Sequence, residues 1–231
     1  MTESLEAVPV IAIDGPSASG KGTIAERVAA ALGFHYLDSG ALYRLVALAA
    51  LRRGIDLDQE VALAELAKQL DVLFGGGQIM LSGHDVTDDI RSEICSVGAS
   101  RVAVWPDVRL ALLTRQRAFC EPPGLVAEGR DMGTVVFPHA VLKVFLTASA
   151  EARAERRYKQ LKEKGIDANI RTLLQELHER DERDSARSAA PLRKAADARE
   201  IDSTVLGIDE VVRQVLEWHR QIVVRVAGSD R

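Results

Sequence analysis

The chain has 231 residues, 47% of them apolar and 28% charged, with a formal net charge of -4. That length and mixture are enough for one substantial core, the small negative charge disfavours wholesale binding to nucleic acid or to an anionic membrane, and no apolar run approaches the length of a membrane span. Cys95 and Cys120 make neither a disulfide framework nor a metal-ligand spacing, and the opening residues carry glutamates and no long apolar stretch, so a soluble cytoplasmic protein is expected.

In chain order, Val8 to Ile13 is a short apolar run that reads as a buried strand. Small and glycine residues follow, and then Ile24, Val28 and Leu32 repeat every four residues, which predicts a helix. Phe34 to Leu37 reads as a second strand, running into "LDSGALYR". From Leu57 to about Arg101 the rhythm breaks. Two β-prone runs around Gly75, Gly76 and Gly77, within Asp71 to Val86, predict a hairpin, so 57–101 is expected to be a helix-plus-hairpin insertion.

Leu125 to Ala127 and Val141 to Leu146 read as further strands, the first followed by "EGRDMGTVVFP". Arg153 to Ala190 is helical in pattern and highly charged, and is expected to form a mobile cover. Within it Ile170, Leu173, Leu174 and Leu177 follow the i, i+3, i+4, i+7 spacing. A weak strand signal at Glu200 and Ile201 precedes a C-terminal helix marked by Ile208, Val211, Val212, Val215 and Leu216. Strands alternating with helices predict a parallel sheet covered on both faces. The helix around Trp218 is expected to pack on the core rather than on a second copy, so a monomer is expected.

Between the first strand and the first helix lies "GPSASGKGT", in which Gly15, Gly20 and Lys21 fit the phosphate-loop spacing G-x-x-x-x-G-K. Such a loop turns backbone N–H groups around a phosphate, and the helix that follows adds its positive end. Lys21 would reach the outer phosphates as a point charge. The loop residues Gly15, Pro16, Ser17, Ala18, Ser19, Gly20, Lys21, Gly22 and Thr23 are therefore read as binding a triphosphate. The loop departs from the common form after the lysine: Gly22 intervenes, and the hydroxyl comes at Thr23, which weakens the case for direct magnesium ligation there.

In open parallel sheets ligands bind beyond the carboxyl ends of the strands. That places Asp38, Ser39, Arg130 and Asp131 on the edge that carries the loop, with Arg44 one turn into the next helix. A stripe Leu173, Leu177, Arg180, Asp184, Arg187 runs at spacings of 4, 3, 4 and 3. Its charged end needs partners if it faces inward; the alternative is a surface Arg180–Asp184 pair, and spacing alone does not choose. Arg44, Arg130 and Arg187 would grip a second phosphate bidentately. Asp131 and Asp184, which would repel a phosphate, suit hydroxyls or a base edge. A donor triphosphate opposite a phosphorylated acceptor points to a nucleoside monophosphate kinase.

"GPSASGKGT", "LDSGALYR", "GASRVA", "EGRDMGTVVFP" and "RDERD" together resemble the bacterial cytidylate kinase family, over about Val10 to Leu216. The resemblance implies a P-loop NTPase-type α/β fold: a core with a five-stranded parallel sheet (about 8–56, 102–152 and 191–225), an NMP-binding insertion (about 57–101) and a short helical LID (about 153–190). It implies ATP-dependent, in-line phosphorylation of CMP and dCMP with Mg²⁺, and neither a nucleic-acid polymer nor a membrane as partner.

Carried over by motif, Arg44, Arg130 and Arg187 would hold the CMP phosphate, with Ser39 beside it. Ser100, Arg109 and Asp131 would read cytosine, and Arg180 and Asp184 would face the sugar. Ser100 and Arg109 by themselves read as ordinary helix-surface residues. Lys21, Arg130 and Arg187 are the expected catalytic residues, neutralising charge as the acceptor oxygen attacks. One of Arg153, Arg156 and Arg157 is expected to reach phosphate, Arg157 being counted with the ATP-binding residues. Adenylate or thymidylate kinase is the nearest rival and a nucleotide-binding regulator the rival of another class. The absence of an N-K-x-D segment argues against a GTPase.

Overall fold

The computed structural model of the protein describes residues 8–75, 77–163 and 165–229. In chain order the elements are β1 (Val10–Asp14), α1 (Lys21–Leu32), β2 (His35–Asp38), α2 (Ser39–Arg52), α3 (Glu60–Lys68), β3 (Val72–Gly75), β4 (Gln78–Leu81), β5 (His84–Asp85), α4 (Glu93–Val102), α5 (Pro106–Arg117), β6 (Leu125–Gly129), β7 (Leu142–Thr147), α6 (Ala150–Glu163), α7 (Ile170–Ala186), β8 (Arg199–Asp202) and α8 (Ile208–Ser229). A 3₁₀ turn lies at Asp89–Arg91 and a π-helical turn at Met132–Val136. Two compact units result. One joins the described residues up to Leu37 with Phe119–Ala186 and those from Ala190 onward; the other joins Asp38–Ala118 with Arg187–Ala189. The insertion expected at 57–101 falls inside the second.

The first unit is built on a five-stranded sheet in the order β2-β6-β1-β7-β8. The strands are parallel, with Val10 opposite Leu125, Ile11 opposite Leu142 and Val144 opposite Arg199. Burial on both faces is why β1 and β6 read as continuous apolar runs rather than alternating ones. Ile11, Ile13, Val126, Val144 and Leu146 meet Ile24 and Val28 of α1 and Val211, Val212 and Val215 of α8 in one core cluster. Each such side chain contributes about 1.5–3 kcal/mol of transfer free energy when fully buried. Trp218 and Leu216 pack against that cluster, and the Arg199 guanidinium lies 5.0 Å from the Trp218 ring centre. The sequence places β1 two residues early, because Val8 and Pro9 look strand-like while Asp14, which closes the strand, does not.

The second unit packs α2 against α4 and α3 against α5. A Cβ at Gly98 of α4 would lie 2.9 Å from the Ala47 Cβ of α2, so the crossing is closer than any side chain allows. The expected hairpin is present as β3 and β4, antiparallel with Val72 opposite Leu81. A third strand, β5, completes that sheet. Two residues long and exposed, it carries no apolar signal. The helical stretch expected over 153–190 is two helices, α6 and α7, and ends at Ala186.

Candidate active site

β1 delivers the chain into the phosphate loop at its carboxyl end, where Gly15 N donates to Gly129 O of β6 at 3.3 Å. A Cβ at Gly15 would lie 2.2 Å from Leu146 O of β7, which only glycine avoids. Ala18 and Gly20 both take positive φ, 57° and 92°, a turn that points successive amides the same way. α1 then starts at Lys21 with no side-chain cap, leaving its first-turn N–H groups without intrahelical partners. Ser17 Oγ and Ser19 Oγ are buried and make no hydrogen bond among the described residues. Buried hydroxyls in that condition are costly, and phosphate oxygens are the acceptors the surrounding amides also suit. Lys21 is buried, its Nζ 3.1 Å from Pro16 O and 3.7 Å from Glu128 Oε2.

Beyond β6 the segment Arg130–Gly133 is held from below by Asp14. Its carboxylate accepts from Met132 N and Gly133 N, both at 2.8 Å. Burial pushes the Asp14 carboxyl up to about 6 despite those two amide donors. The backbone is thereby fixed on either side of Asp131, itself buried. Arg130 Nε donates to Asp184 Oδ2 of α7 at 2.7 Å. Burial works against the Arg130 charge, but the Asp184 carboxylate, with Glu128 and Asp181, outweighs it and keeps the pKa above the ordinary value.

The α7 stripe faces inward: Leu173, Leu177 and Asp184 are buried and Arg180 half-buried. Asp184 takes Arg130 as an ion-pair partner, and its burial sets it apart from the surface pair that was the alternative. Arg187, which continues the stripe, is buried just past the end of α7 and groups with the second unit.

Within the second unit, Asp38 caps α2 by accepting from Ala41 N at 3.0 Å, and its other oxygen pairs with Arg44 Nη2 at 2.5 Å. A Cβ at Gly40 would lie 3.1 Å from both partners, so glycine there leaves the pair its room. Arg44 Nε is buried with no hydrogen-bond partner among the described residues. Ser39, next to the cap, is buried. The Arg109 guanidinium stands 5.4 Å from the Tyr43 ring centre and donates to Ala103 O at 3.2 Å. Ser100 is buried on α4, against its reading as a helix-surface residue. The Tyr43 ring thus backs the Arg109 guanidinium, while Arg44 is held by Asp38.

Two arginines of the stretch expected as a cover bond to the loop. Arg153 is buried, with Nη1 on Ser17 O at 3.2 Å and Nη2 on Asp181 Oδ2 at 2.6 Å. Arg156 Nη1 donates to Ser19 O at 3.1 Å. Both hold the phosphate loop itself. Arg157 is half-buried on the same helix. Asp14, Glu128 and Asp181 are functional candidates that sequence reasoning passed over. Asp14 and Glu128 had a signal available: a carboxylate on a fully buried strand needs a partner.

The sequence profile described as Cytidylate kinase matches residues 11–221. The chain belongs to the cytidylate kinase family. Members of the cytidylate kinase family phosphorylate CMP and dCMP using ATP. The chain is 59% identical over 221 residues to the cytidylate kinase of Burkholderia vietnamiensis (strain G4), covering 96% of this chain and 97% of that one. It is 60% identical over 214 residues to the cytidylate kinase of Chromobacterium violaceum, covering 93% and 96%. Among solved structures, a gluconokinase from Sinorhizobium meliloti 1021 superposes with a TM-score of 0.51 at 19% identity, covering 96% of this chain and 98% of that one. That likeness concerns the fold, a P-loop kinase sheet flanked by helices.

Proposed function

We propose that this cytidylate kinase family member transfers the γ-phosphoryl group of ATP directly to the phosphate of CMP or dCMP, with the residue roles set out below. The observation that carries the donor side is the loop with two buried hydroxyls, Ser17 Oγ and Ser19 Oγ, that have no partner among the described residues, ahead of an uncapped helix. ATP phosphates would occupy that cradle, Gly15 to Thr23, with Lys21 moving from Pro16 O and Glu128 onto the outer phosphates and Arg157 near them. On the acceptor side, Ser39, Arg44, Arg130 and Arg187 bind the CMP phosphate, Ser100, Arg109 and Asp131 the base, and Arg180 and Asp184 the sugar.

A carboxylate suits cytosine because it accepts from the exocyclic amino group, where uracil presents a carbonyl. Lys21, Arg130 and Arg187 spread positive charge over the transferring group, and positioning carries most of the acceleration. The acceptor phosphate is already ionised near neutrality, so no side chain need remove its proton. The protein acts as a monomer in the cytoplasm; no helix among the described residues is long and apolar enough to cross a membrane.

Magnesium suits this donor set as an ion carried by the nucleotide. No group of three or more His, Cys, Asp or Glu side chains gathers among the described residues, and Mg²⁺ commonly binds through substrate phosphates with one or two protein oxygens. Thr23 Oγ1 and the Glu128 carboxylate are the oxygens this chain offers. Glu128 Oε1 lies 3.5 Å from where a Cβ on Gly22 would stand. When bound, the ion would neutralise charge on the phosphates.

The test is ADP release from MgATP with CMP, dCMP, UMP, AMP and dTMP offered separately. Release with CMP and dCMP should exceed the others by at least about fivefold, the discrimination one misplaced polar contact of about 1–3 kcal/mol supplies. A preference for UMP, AMP or dTMP overturns the base assignment; ATP binding without release in any mixture turns the reading to a regulator.

A further inference from the structure

We infer that Arg153 and Arg156 are positioning residues that aim two amide donors of the phosphate loop, an assignment that rests on reading the loop as the ATP site. A trans peptide points its C=O and N–H in opposite directions. The Ser17 carbonyl shares its peptide with Ala18 N–H, and the Ser19 carbonyl shares its peptide with Gly20 N–H. Arg153 Nη1 holds Ser17 O at 3.2 Å, and Arg156 Nη1 holds Ser19 O at 3.1 Å. Drawing the two carbonyls outward toward α6 turns Ala18 N–H and Gly20 N–H the other way.

Ala18 and Gly20 are also the two loop residues with positive φ. For Ala18 that conformation is one L-residues rarely adopt, and it persists only where surrounding bonds over-determine it. The arginines supply those bonds. The remainder of each guanidinium is anchored in turn. Arg153 Nε donates to Ala148 O at 3.1 Å and its Nη2 to Asp181 Oδ2 at 2.6 Å. Arg156 reaches Ser203 through both its hydroxyl, at 3.2 Å, and its carbonyl. Ser203 Oγ also lies 3.2 Å from Ser19 O, although it shares its one proton with Thr147 O at 2.9 Å, so Gly20 keeps a second, weaker support with no counterpart at Ala18 among the described residues. Arg153 therefore matters more than Arg156. Its salt bridge to Asp181 ties the loop to α7, the helix whose Asp184 holds Arg130.

The experiment measures ATP and CMP affinity separately by calorimetry, together with the Ala18 and Gly20 amide resonances, for the wild type, Arg153→Ala, Arg153→Lys and Arg156→Ala. In the wild type both amide protons move downfield on adding ATP. Arg153→Ala should weaken ATP about 10- to 100-fold, as expected for one donor to a charged acceptor, leave CMP affinity within about twofold, and abolish the Ala18 shift while Gly20 retains its own. Arg156→Ala should weaken ATP less and reduce the Gly20 shift. Arg153→Lys, which keeps the charge beside Asp181 without the fork, should retain stability and still lose the Ala18 shift; it carries the test if the alanine variant does not fold.

Wild-type affinities and amide shifts in Arg153→Lys and Arg156→Ala overturn the inference. Weakened ATP with an intact Ala18 shift also overturns it, since Arg153 would then touch the phosphate itself. Failure of the kinase reading is separate: it appears in the wild type as ATP binding with no CMP-dependent ADP release.

Discussion

Asp14 ends β1 as a carboxylate 5% exposed, and the two amides it accepts do not offset the cost of its burial. Its pKa of about 6 stands above the ordinary 3.8, so the folded protein holds that proton more tightly than the unfolded chain. The Asp14 contribution to stability is therefore fully present below about pH 4 and is lost as the pH rises through about 6. Burial lowers the His219 pKa, which acts oppositely, removing stability as the pH falls. A matched pair isolates Asp14. Relative to Asp14→Asn, the wild type should gain roughly 1–3 kcal/mol between pH 6.5 and 4, read from denaturant melts at fixed ionic strength. Parallel pH profiles for the two proteins would mean Asp14 does not titrate in that window. The substitution should also raise KM for CMP more than for ATP, because an amide in place of the carboxylate sets an NH₂ group against Met132 N–H or Gly133 N–H.

At the scale of elements, packing decides what the sequence reveals. The strands beside α1 and α8 were legible because parallel strands buried on both faces read as near-continuous apolar runs. α7 was legible as a helix with an apolar stripe at Leu173 and Leu177, but spacing alone did not choose whether its charged end followed inward; the burial of Asp184 does. The bonds of Arg153 and Arg156 to the phosphate loop were not, because they join residues 136 and 137 positions apart, a separation at which periodicity says nothing. Nor was the π-helical turn at Met132–Val136, in which Val136 N and Phe137 N donate to carbonyls five residues back while Asp14 accepts from Met132 N and Gly133 N.

Gly98 shows an element-scale constraint of the same hidden kind. With Ala47 Cβ at 2.9 Å and Leu57 Cδ1 at 3.4 Å from an added Cβ, Gly98→Val must push α4 away from α2. Overpacking of this sort costs about 1–3 kcal/mol, hence a fall of roughly 2–12 °C in melting temperature at this chain length. Ser100 sits two residues along the displaced helix, so KM for CMP should rise while ATP affinity holds. Steady-state kinetics with each substrate varied in turn would show it, and an equal effect on both would point to general loosening instead.

For the whole molecule, the consequence of two units is that the ligands should leave different footprints. The residues assigned to ATP, Gly15 to Thr23 and Arg157, all belong to the first unit, whereas Ser39, Arg44, Ser100, Arg109 and Arg187, among those assigned to CMP, belong to the second. A ligand that binds only the folded state slows local opening wherever it bonds. Amide hydrogen exchange with a non-hydrolysable ATP analogue should therefore slow over residues 15–25 and leave α2 and α4 unchanged. CMP alone should slow the start of α2, the end of α4 and the segment around Asp131. At ligand concentrations a hundredfold above Kd the slowing limit is about a hundredfold, equal to about 2.7 kcal/mol. If CMP protected the first unit only, Ser39, Arg44, Ser100 and Arg109 would lose their assignment, and the buried Arg44 Nε would need another explanation. If the ATP analogue protected α2 and α4 as strongly as the loop, the two units would share one opening reaction, and the division of labour between them would fail.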